Sequence, residues 1–193
     1  MEYRIKKDEL AQTLQAWDEL LPGRGRIRLV ACGGTALTLM GYKESTKDVD
    51  FLVPEEKEYE RLIDFLTKAG YRPATSFGWK RGEETIVYDL YPGKKVYQTE
   101  LLTSPLVRGG TRPWKKLKKI EVLILNPLDL IISKMFRGVE VDIQDSLLLL
   151  AKEKIDLEKL KERYRETAQH DISEAKVLRN LELLLKRLES SSA

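Results

Sequence analysis

Two aspartates separated by one residue, Asp48 and Asp50, are the strongest candidates for chemistry in this chain of 193 residues. They open the apolar run Asp-Val-Asp-Phe-Leu-Val, which is typical of a β-strand. Side chains two residues apart on a strand point to the same face, ~6–7 Å apart, so the two carboxylates would repel each other and resist burial. A Mg²⁺ ion held by carboxylates and triphosphate oxygens removes that conflict. The alternative is a solvated strand end at which both aspartates meet water.

A glycine pair, Gly33-Gly34, follows the apolar run Ile27–Cys32 and precedes the aspartates. A glycine has no Cβ, so its backbone can approach a phosphate closely. The helix expected after the pair would direct free backbone N–H groups at that phosphate. This order of strand, glycine turn and helix predicts a phosphate-binding turn. Taken alone, the pair is also explained by an ordinary tight turn.

A third carboxylate, Asp89, interrupts the apolar run Ile86–Tyr91 at a position that normally disfavours charge. If this strand lies beside the strand of Asp48 and Asp50, Asp89 would complete a site for two metal ions. One ion would orient a triphosphate, and the other would activate an attacking hydroxyl. Alternatively, Asp89 faces solvent on an edge strand, and a coincidental Asp-x-Asp would require Asp89 to lie well away from the pair.

The composition excludes several other chemistries. One histidine (His170) and one cysteine (Cys32) cannot build a zinc site of nitrogen and sulfur ligands or an intramolecular disulfide, so a metal here would be a hard cation. We expect His170 to be an exposed helix-boundary residue and Cys32 a buried core residue.

A net charge of +3 does not by itself imply nucleic-acid binding. No apolar run approaches ~20 residues and no secretion signal is evident, so we expect a cytoplasmic protein without a membrane partner. The abundance of Lys, Glu and Arg resembles thermophile composition.

The periodicity of apolar residues predicts an α+β fold, in which a mixed β-sheet is flanked by helices and followed by a C-terminal helical region. The predicted domains are residues 1–125 and 126–193. Helices are expected over 6–21, 35–40, 56–69, 127–137, 142–152, 156–166 and 172–188. Strands are expected over 27–32, 48–53, 71–77, 85–91, 95–101 and 120–125. On the first helix, one face should carry Leu10, Leu14, Trp17 and Leu21.

The chemical residues together resemble the nucleotidyltransferase superfamily, which has a polymerase β-like fold. Its signature of a glycine turn, an Asp-x-Asp and a later strand-borne Asp is matched by Gly33-Gly34-Thr35, Asp48-Val49-Asp50 and Asp89. Small stand-alone members often have a Thr two residues before the first Asp, as Thr46 stands here, whereas an Arg that many carry near Ser45 is absent. The resemblance implies a Mg²⁺-dependent enzyme with two ions and a nucleoside triphosphate such as ATP or GTP.

The helical half extends the resemblance to AbiE-type toxins and related uncharacterised transferases. Lys134, Arg137, Asp142 and Asp145 look like their Lys…Arg…Asp-x-x-Asp pattern, although Val141 replaces a usual basic residue. By that analogy Lys134 would reach a triphosphate and Asp145 would lie near the reaction centre. The simpler explanation is a surface ion pair between Lys134 and Asp142 or Asp145, which would contribute little.

These resemblances imply transfer of a nucleotidyl group from a triphosphate to an acceptor hydroxyl. Asp48 and Asp50 would bind both ions, Asp89 would ligate one and help to deprotonate the acceptor, and Gly33-Gly34-Thr35 would hold the triphosphate. The acceptor could be a tRNA end, a protein side chain or a small molecule, and the chain could belong to a toxin–antitoxin pair with a cognate partner. The alternative is a non-catalytic module, an antitoxin or regulator, that keeps the fold and binds nucleotide or its partner.

Two further segments suggest interactions. The segment Arg108–Lys119 carries six basic residues and Trp114, which could hold an RNA end or form a solvated loop leading into a strand. The leucines of the last helix could pack on their own domain or bind a partner. These leucines are Leu178, Leu181, Leu185 and Leu188.

Overall fold

The computed structural model describes residues 4–192 and shows the α+β fold that the sequence predicts. The chain divides into two compact units. The first unit consists of Met1–Lys94 and Ser104–Leu125, and the second of Lys95–Thr103 and Asn126–Ala193. The candidate carboxylates therefore lie in the first unit, and Lys134 and Asp145 lie in the second.

The elements of the described residues follow in chain order. The helices are α1 (Lys7–Leu20), α2 (Gly33–Leu39), α3 (Glu56–Lys68), α4 (Pro127–Arg137), α5 (Glu140–Lys152), α6 (Leu157–Ala168) and α7 (Glu174–Ser192). The strands are β1 (Ile5–Lys6), β2 (Ile27–Ala31), β3 (Ser45–Thr46), β4 (Val49–Val53), β5 (Tyr71–Pro73), β6 (Gly78–Arg81), β7 (Tyr88–Pro92), β8 (Lys95–Val96), β9 (Thr99–Glu100), β10 (Thr111–Lys116) and β11 (Ile120–Leu125).

The first unit is built on a mixed sheet of seven strands in the order β10-β11-β2-β4-β7-β6-β5. The pairs β11–β2 and β4–β7 are parallel, and the other neighbours are antiparallel. The inner strands β2, β4 and β11 are mainly apolar and buried, which is expected for strands that have neighbours on both sides. The carboxyl end of β2 leads to Gly33, and the amino end of β4 carries the Asp-x-Asp segment.

Helix α1 packs on the sheet through the apolar face that the sequence predicts. Leu10, Leu14 and Trp17 are buried on this helix, and Leu21 is buried directly after it. The Trp17 indole N–H donates to the Tyr71 hydroxyl at 3.1 Å, and both rings pack against Tyr88. Successive strand residues point to opposite faces, so α1 covers the face that lies away from Asp89.

Several predicted segments differ from the structure in their bounds, and three of them differ in kind. The strand expected over 71–77 ends at Pro73, because Ala74 N–H and Thr75 N–H both turn back to the Gly78 carbonyl. Residues 95–101 form the short hairpin β8–β9, whose turn places Tyr97 at φ +52°. Residues 111–116, expected to be part of a solvated loop, are the edge strand β10 with an irregularity between Pro113 and Lys115. Tyr97 and Trp114 are not turn-forming residue types, so the sequence does not signal these features.

The second unit holds the helices α4 to α7 and the β8–β9 hairpin. Helix α4 begins as predicted: the Asn126 side chain accepts from the Asp129 N–H at 3.0 Å, and Pro127 occupies the first turn. Arg163 of α6 donates to both carboxylate oxygens of buried Asp129, at 2.7 and 3.0 Å. None of the described helices is both long and apolar enough to span a membrane.

Candidate active site

The glycine pair that follows β2 and begins α2 is packed directly against the Asp-x-Asp segment. Gly33 has a φ of +56°, and a Cβ at this position would overlap the Asp50 carboxylate. A Cβ on Gly34 would lie 2.6 Å from Thr46 Oγ1. Close approach therefore favours glycine at both positions, and the positive φ favours it at Gly33 as well. The side of Gly33 that a Cβ would occupy is filled by the Asp50 carboxylate and is not open to a phosphate.

Asp50 and Asp89 are partners in the register of the parallel strands β4 and β7. In-register residues of neighbouring strands point to the same face, so the two carboxylates share one face of the sheet. β7 lies between β4 and β6 and is not an edge strand. Both aspartates are half-buried. The structure thus excludes an edge position for Asp89 and a location far from the Asp-x-Asp.

The pKa of the Asp89 carboxyl reflects its burial and its nearness to another carboxylate. Burial raises the pKa of the Asp89 carboxyl above its ordinary value, and the negative charge of Asp48 raises it further. A hydrogen bond from the Thr75 hydroxyl, at 3.5 Å, acts in the opposite direction. The raised pKa therefore describes the site without a cation, and a cation bound at these carboxylates would lower it.

Tyr91 belongs to the same face and was missed by the sequence analysis. Its phenol donates to Asp50 Oδ1 at 3.4 Å. Burial, followed by the charges of Asp50 and Asp89, raises the pKa of the Tyr91 phenol, which therefore stays protonated and remains a donor. The strand period of two gives a signal for it, because Tyr91 stands two residues after Asp89.

Two buried threonine hydroxyls fix the backbone of the Asp-x-Asp. Thr35 Oγ1 donates to the Asp48 carbonyl at 3.3 Å and accepts from the Asp50 N–H at 2.8 Å. Thr46 Oγ1 donates to the same Asp48 carbonyl at 2.9 Å. Thr35 is fully buried, so its side chain is engaged with the backbone of the aspartates and is not presented to a ligand. Any contact of Thr35 with a triphosphate would have to use its backbone.

The donor set of the site is suited to a hard divalent cation. Asp48, Asp50 and Asp89 offer only oxygen atoms, which are the ligands that Mg²⁺ prefers. Among residues 4–192, no group of three or more His, Cys, Asp or Glu side chains has the arrangement of a ready-made metal site. An ion at these carboxylates would thus take its remaining ligands from triphosphate oxygens and water, as Mg²⁺ usually does.

In the second unit, Lys134 and Asp145 form an ion pair. Lys134 Nζ lies 2.8 Å from Asp145 Oδ2, and the two side chains are only 5% and 7% exposed. The pair is therefore buried, and the expectation of a surface pair is wrong. α4 and α5 pack against each other and enclose it. Asp142 is instead held by Arg137, with two hydrogen bonds of 2.7 Å.

Cys32 and His170 are placed as the sequence predicts, whereas only one of the four leucines singled out on α7 is buried. Cys32 is buried at the end of β2, and His170 is exposed in the turn after α6. On α7, Leu181 is buried, whereas Leu178, Leu185 and Leu188 are partly exposed. None of these residues belongs to the carboxylate cluster.

Comparisons with known proteins agree with the fold. A family model described as a nucleotidyltransferase of unknown function (DUF6036) matches residues 114–191. Among solved structures, the chain is similar to a crystal structure of ANT(2")-Ia in complex with adenylyl-2"-tobramycin, with a TM-score of 0.56 and 15% sequence identity. The alignment covers 84% of this chain and 97% of that one. No curated protein sequence matches the chain.

The fold of the chain is nucleotidyltransferase-like, and the family model that matches residues 114–191 is likewise described as a nucleotidyltransferase. The mixed sheet and seven helices of the described residues match a nucleotidyltransferase-like structure. The resemblance to AbiE-type toxins has no counterpart in these comparisons and stays a prediction.

Proposed function

We propose that the chain is a Mg²⁺-dependent nucleotidyltransferase that uses Asp48, Asp50 and Asp89. The observation that carries the proposal is the shared face of Asp50 and Asp89, with the Gly33 turn packed against Asp50. Carboxylates brought together on a half-buried face are costly without a cation, and a metal with a triphosphate offsets that cost. The structure of ANT(2")-Ia, which this chain resembles in fold, is a complex with adenylyl-2"-tobramycin, a molecule that carries a nucleotidyl group.

In the proposed reaction the acceptor oxygen attacks the α-phosphorus of the nucleoside triphosphate. A new bond forms between them, the bond to the bridging oxygen breaks, and pyrophosphate leaves with that electron pair. Asp89 would take the proton of the acceptor hydroxyl as the general base. Asp48 and Asp50 would hold two Mg²⁺ ions, which neutralise the phosphate charge and activate the acceptor.

The glycine turn and Lys134 would serve the triphosphate. Asp50 and Thr46 fill the places that a Cβ would take on Gly33 and Gly34, so a phosphate would instead meet the backbone N–H groups at the start of α2. We assign Thr35 a positioning role, because its hydroxyl holds the backbone of both aspartates. Lys134 would have to exchange Asp145 for a phosphate in order to contribute. Asp145 is then the group that keeps this lysine in place before binding.

Transfer of label tests the proposal directly. The protein is incubated with Mg²⁺ and α-³²P-labelled ATP, GTP, CTP or UTP, together with transfer RNA, lysate protein or an aminoglycoside. We expect label to pass to one acceptor class, and Asp50→Asn and Asp89→Asn to abolish transfer. Asp64→Asn, on the exposed side of α3, is the control and should keep activity. If wild type transfers no label and both site variants respond to Mg²⁺-ATP like wild type, the proposal is wrong.

The alternative is a module that binds a nucleotide or a partner without turnover, as an antitoxin or regulator does. It predicts that Mg²⁺-ATP raises the thermal midpoint while no label is transferred to any acceptor. The cytoplasmic location, the cognate partner and the AbiE-type role stay predictions of the sequence.

A further inference from the structure

A basic cleft lies in the first unit, away from the carboxylates. Its volume is about 440 Å³, and its lining consists only of glycines and cationic residues. These residues are Gly23, Arg24, Gly25, Arg26, Lys118 and Lys119. The cleft thus joins the turn before β2 to the turn between β10 and β11, which are distant in sequence.

Both turns are held in place by side chains from elsewhere in the unit. The Arg61 guanidinium donates to the Pro22 carbonyl at 3.2 and 3.0 Å and to the Gly25 carbonyl at 3.1 Å. The Asp18 carboxylate accepts from the N–H groups of Lys118 and Lys119, at 3.3 and 2.6 Å. The walls of the cleft are therefore fixed before any ligand binds, which lowers the entropic cost of binding.

The cleft presents uncompensated positive charge. Arg24, Arg26 and Lys118 are exposed, and within residues 4–192 none of the three forms an ion pair. The carboxylate beneath them, Asp18, is only 5% exposed and is occupied by backbone N–H groups. Lys119 Nζ donates to the Leu21 carbonyl. An anion entering the cleft would meet three cations that have no competing acidic partner.

The distance between the cleft and the carboxylates restricts which ligand could occupy both of them at once. Arg26 precedes β2, whereas Cys32 follows it and donates its N–H to the Asp50 carbonyl. The five steps from Ile27 to Cys32 span roughly 17 Å of extended strand, so the cleft and the carboxylates lie at opposite ends of β2. A single nucleotide cannot bridge that separation, but a polymer with regularly spaced phosphates can.

We propose that the cleft binds backbone phosphates of an RNA whose end is the acceptor at Asp50 and Asp89. The assignment as acceptor rests on the proposed function, whereas the RNA binding does not. An RNA fits better than a protein because protein interfaces are centred on aromatic and apolar residues, and no such residue lines this cleft. Clustered Lys and Arg bind phosphates without reading sequence.

The test is RNA binding by a cleft variant and a matched control. The cleft variant is Arg24→Ala/Arg26→Ala/Lys118→Ala, and the control removes three charges outside the cleft and outside the Arg108–Lys119 segment, Lys7→Ala/Lys80→Ala/Lys154→Ala. Fluorescence anisotropy with a labelled transfer RNA pool is measured from 50 to 200 mM KCl. We expect the cleft variant to bind at least tenfold more weakly, with a salt slope reduced by about three, since each phosphate contact contributes about one.

The control should bind within about twofold of wild type, because its charges lie outside the phosphate path. A Mg²⁺-ATP thermal shift equal to that of wild type in the cleft variant shows that the carboxylate site is intact. If both triple variants lose the same RNA affinity, the effect is one of net charge and the proposal is wrong. The proposal is also wrong if the cleft variant binds RNA as tightly as wild type. Equal competition by polyglutamate would assign the cleft to acidic proteins instead. A lack of label transfer alongside cleft-dependent RNA binding would refute only the proposed function.

Discussion

Asp50 and Asp89, 39 residues apart in sequence, are direct cross-strand partners on two parallel strands of the same sheet. The Gly33 turn closes on Asp50 from one side, and the Tyr91 phenol donates to it from the same face. The charge of Asp48 raises the pKa of the Asp89 carboxyl. A substitution at any of these positions is therefore expected to act on metal binding as well as on packing.

The first prediction concerns Asp89 and pH. The folded state binds the Asp89 proton more tightly than the unfolded chain, because its pKa is raised. The stabilising contribution is complete below the ordinary aspartate pKa and is lost as the pH rises through the folded value. Without Mg²⁺, Asp89→Asn should therefore unfold at a higher temperature than wild type at pH 7, and the difference should shrink towards pH 4. The control is Glu60→Gln, at an exposed position of α3. A difference in unfolding temperature that does not change with pH, or that Glu60→Gln also shows, would contradict this prediction.

The second prediction separates close approach from backbone strain at Gly33. Gly33→Ala introduces strain at a φ of +56° and a Cβ that overlaps the Asp50 carboxylate. Gly41→Ala is the matched control, since Gly41 has a φ of +78° but nothing within 4 Å of its Cβ. Both should lose about 1–2 kcal/mol of unfolding free energy from strain. Only Gly33→Ala should also lose the Mg²⁺-ATP thermal shift, and an equal response of both variants would argue against the site.

The third prediction concerns the Thr35 hydroxyl. Thr35→Val leaves the Asp50 N–H without its acceptor, which should cost about 1–3 kcal/mol of unfolding free energy and weaken Mg²⁺ binding. Thr35→Ser keeps the hydroxyl and should restore the affinity for Mg²⁺. The control is Thr38→Val, because the buried Thr38 hydroxyl bonds only to the Gly34 carbonyl of its own helix. Titration calorimetry with Mg²⁺ and a non-hydrolysable ATP analogue measures the Mg²⁺ affinity of each variant. If Thr35→Val and Thr38→Val have similar Mg²⁺ affinities, Thr35 does not position the aspartates.

The fourth prediction concerns the buried pair of Lys134 and Asp145. Lys134→Met leaves a buried carboxylate without its cation and should cost about 3 kcal/mol of unfolding free energy. The double variant Lys134→Met/Asp145→Leu should recover much of that loss, because an apolar pair of similar size can replace a buried ion pair. Urea unfolding measures both effects. If Lys134 serves the triphosphate, the recovered double variant still shows no Mg²⁺-ATP shift, whereas a normal shift would assign the lysine a structural role only.

Much of the candidate site could be predicted from local patterns. The apolar runs before Gly33 and after Asp48 predict buried strands. Asp89 within Ile86–Tyr91 indicates a strand that carries a carboxylate among apolar residues. That β4 and β7 are neighbours, and that Asp50 is in register with Asp89, depends on long-range pairing that no local spacing encodes. The resemblance to nucleotidyltransferases supplied the expected order of these parts.

Other features had no sequence signal, or a misleading one. The edge strand β10 is rich in Lys and Arg, so composition favours a loop, yet such residues also protect a sheet edge from pairing with other chains. The burial of Lys134 follows from the packing of α4 on α5, because Asp145 is available there as a partner. The basic cleft unites residues nearly a hundred positions apart, which no local pattern relates.

The interleaved chain path of the two units also has a consequence for synthesis and dissection. The chain leaves the first unit at Lys95, returns at Ser104 and leaves again after Leu125. A ribosome must therefore release β11 before β2 gains its parallel neighbour, so a nascent chain ending at Lys94 would expose β2 as an unprotected sheet edge. Such a fragment should aggregate when expressed. A fragment that begins at Asn126 would likewise lack the β8–β9 hairpin, so neither unit can be produced by a single cut.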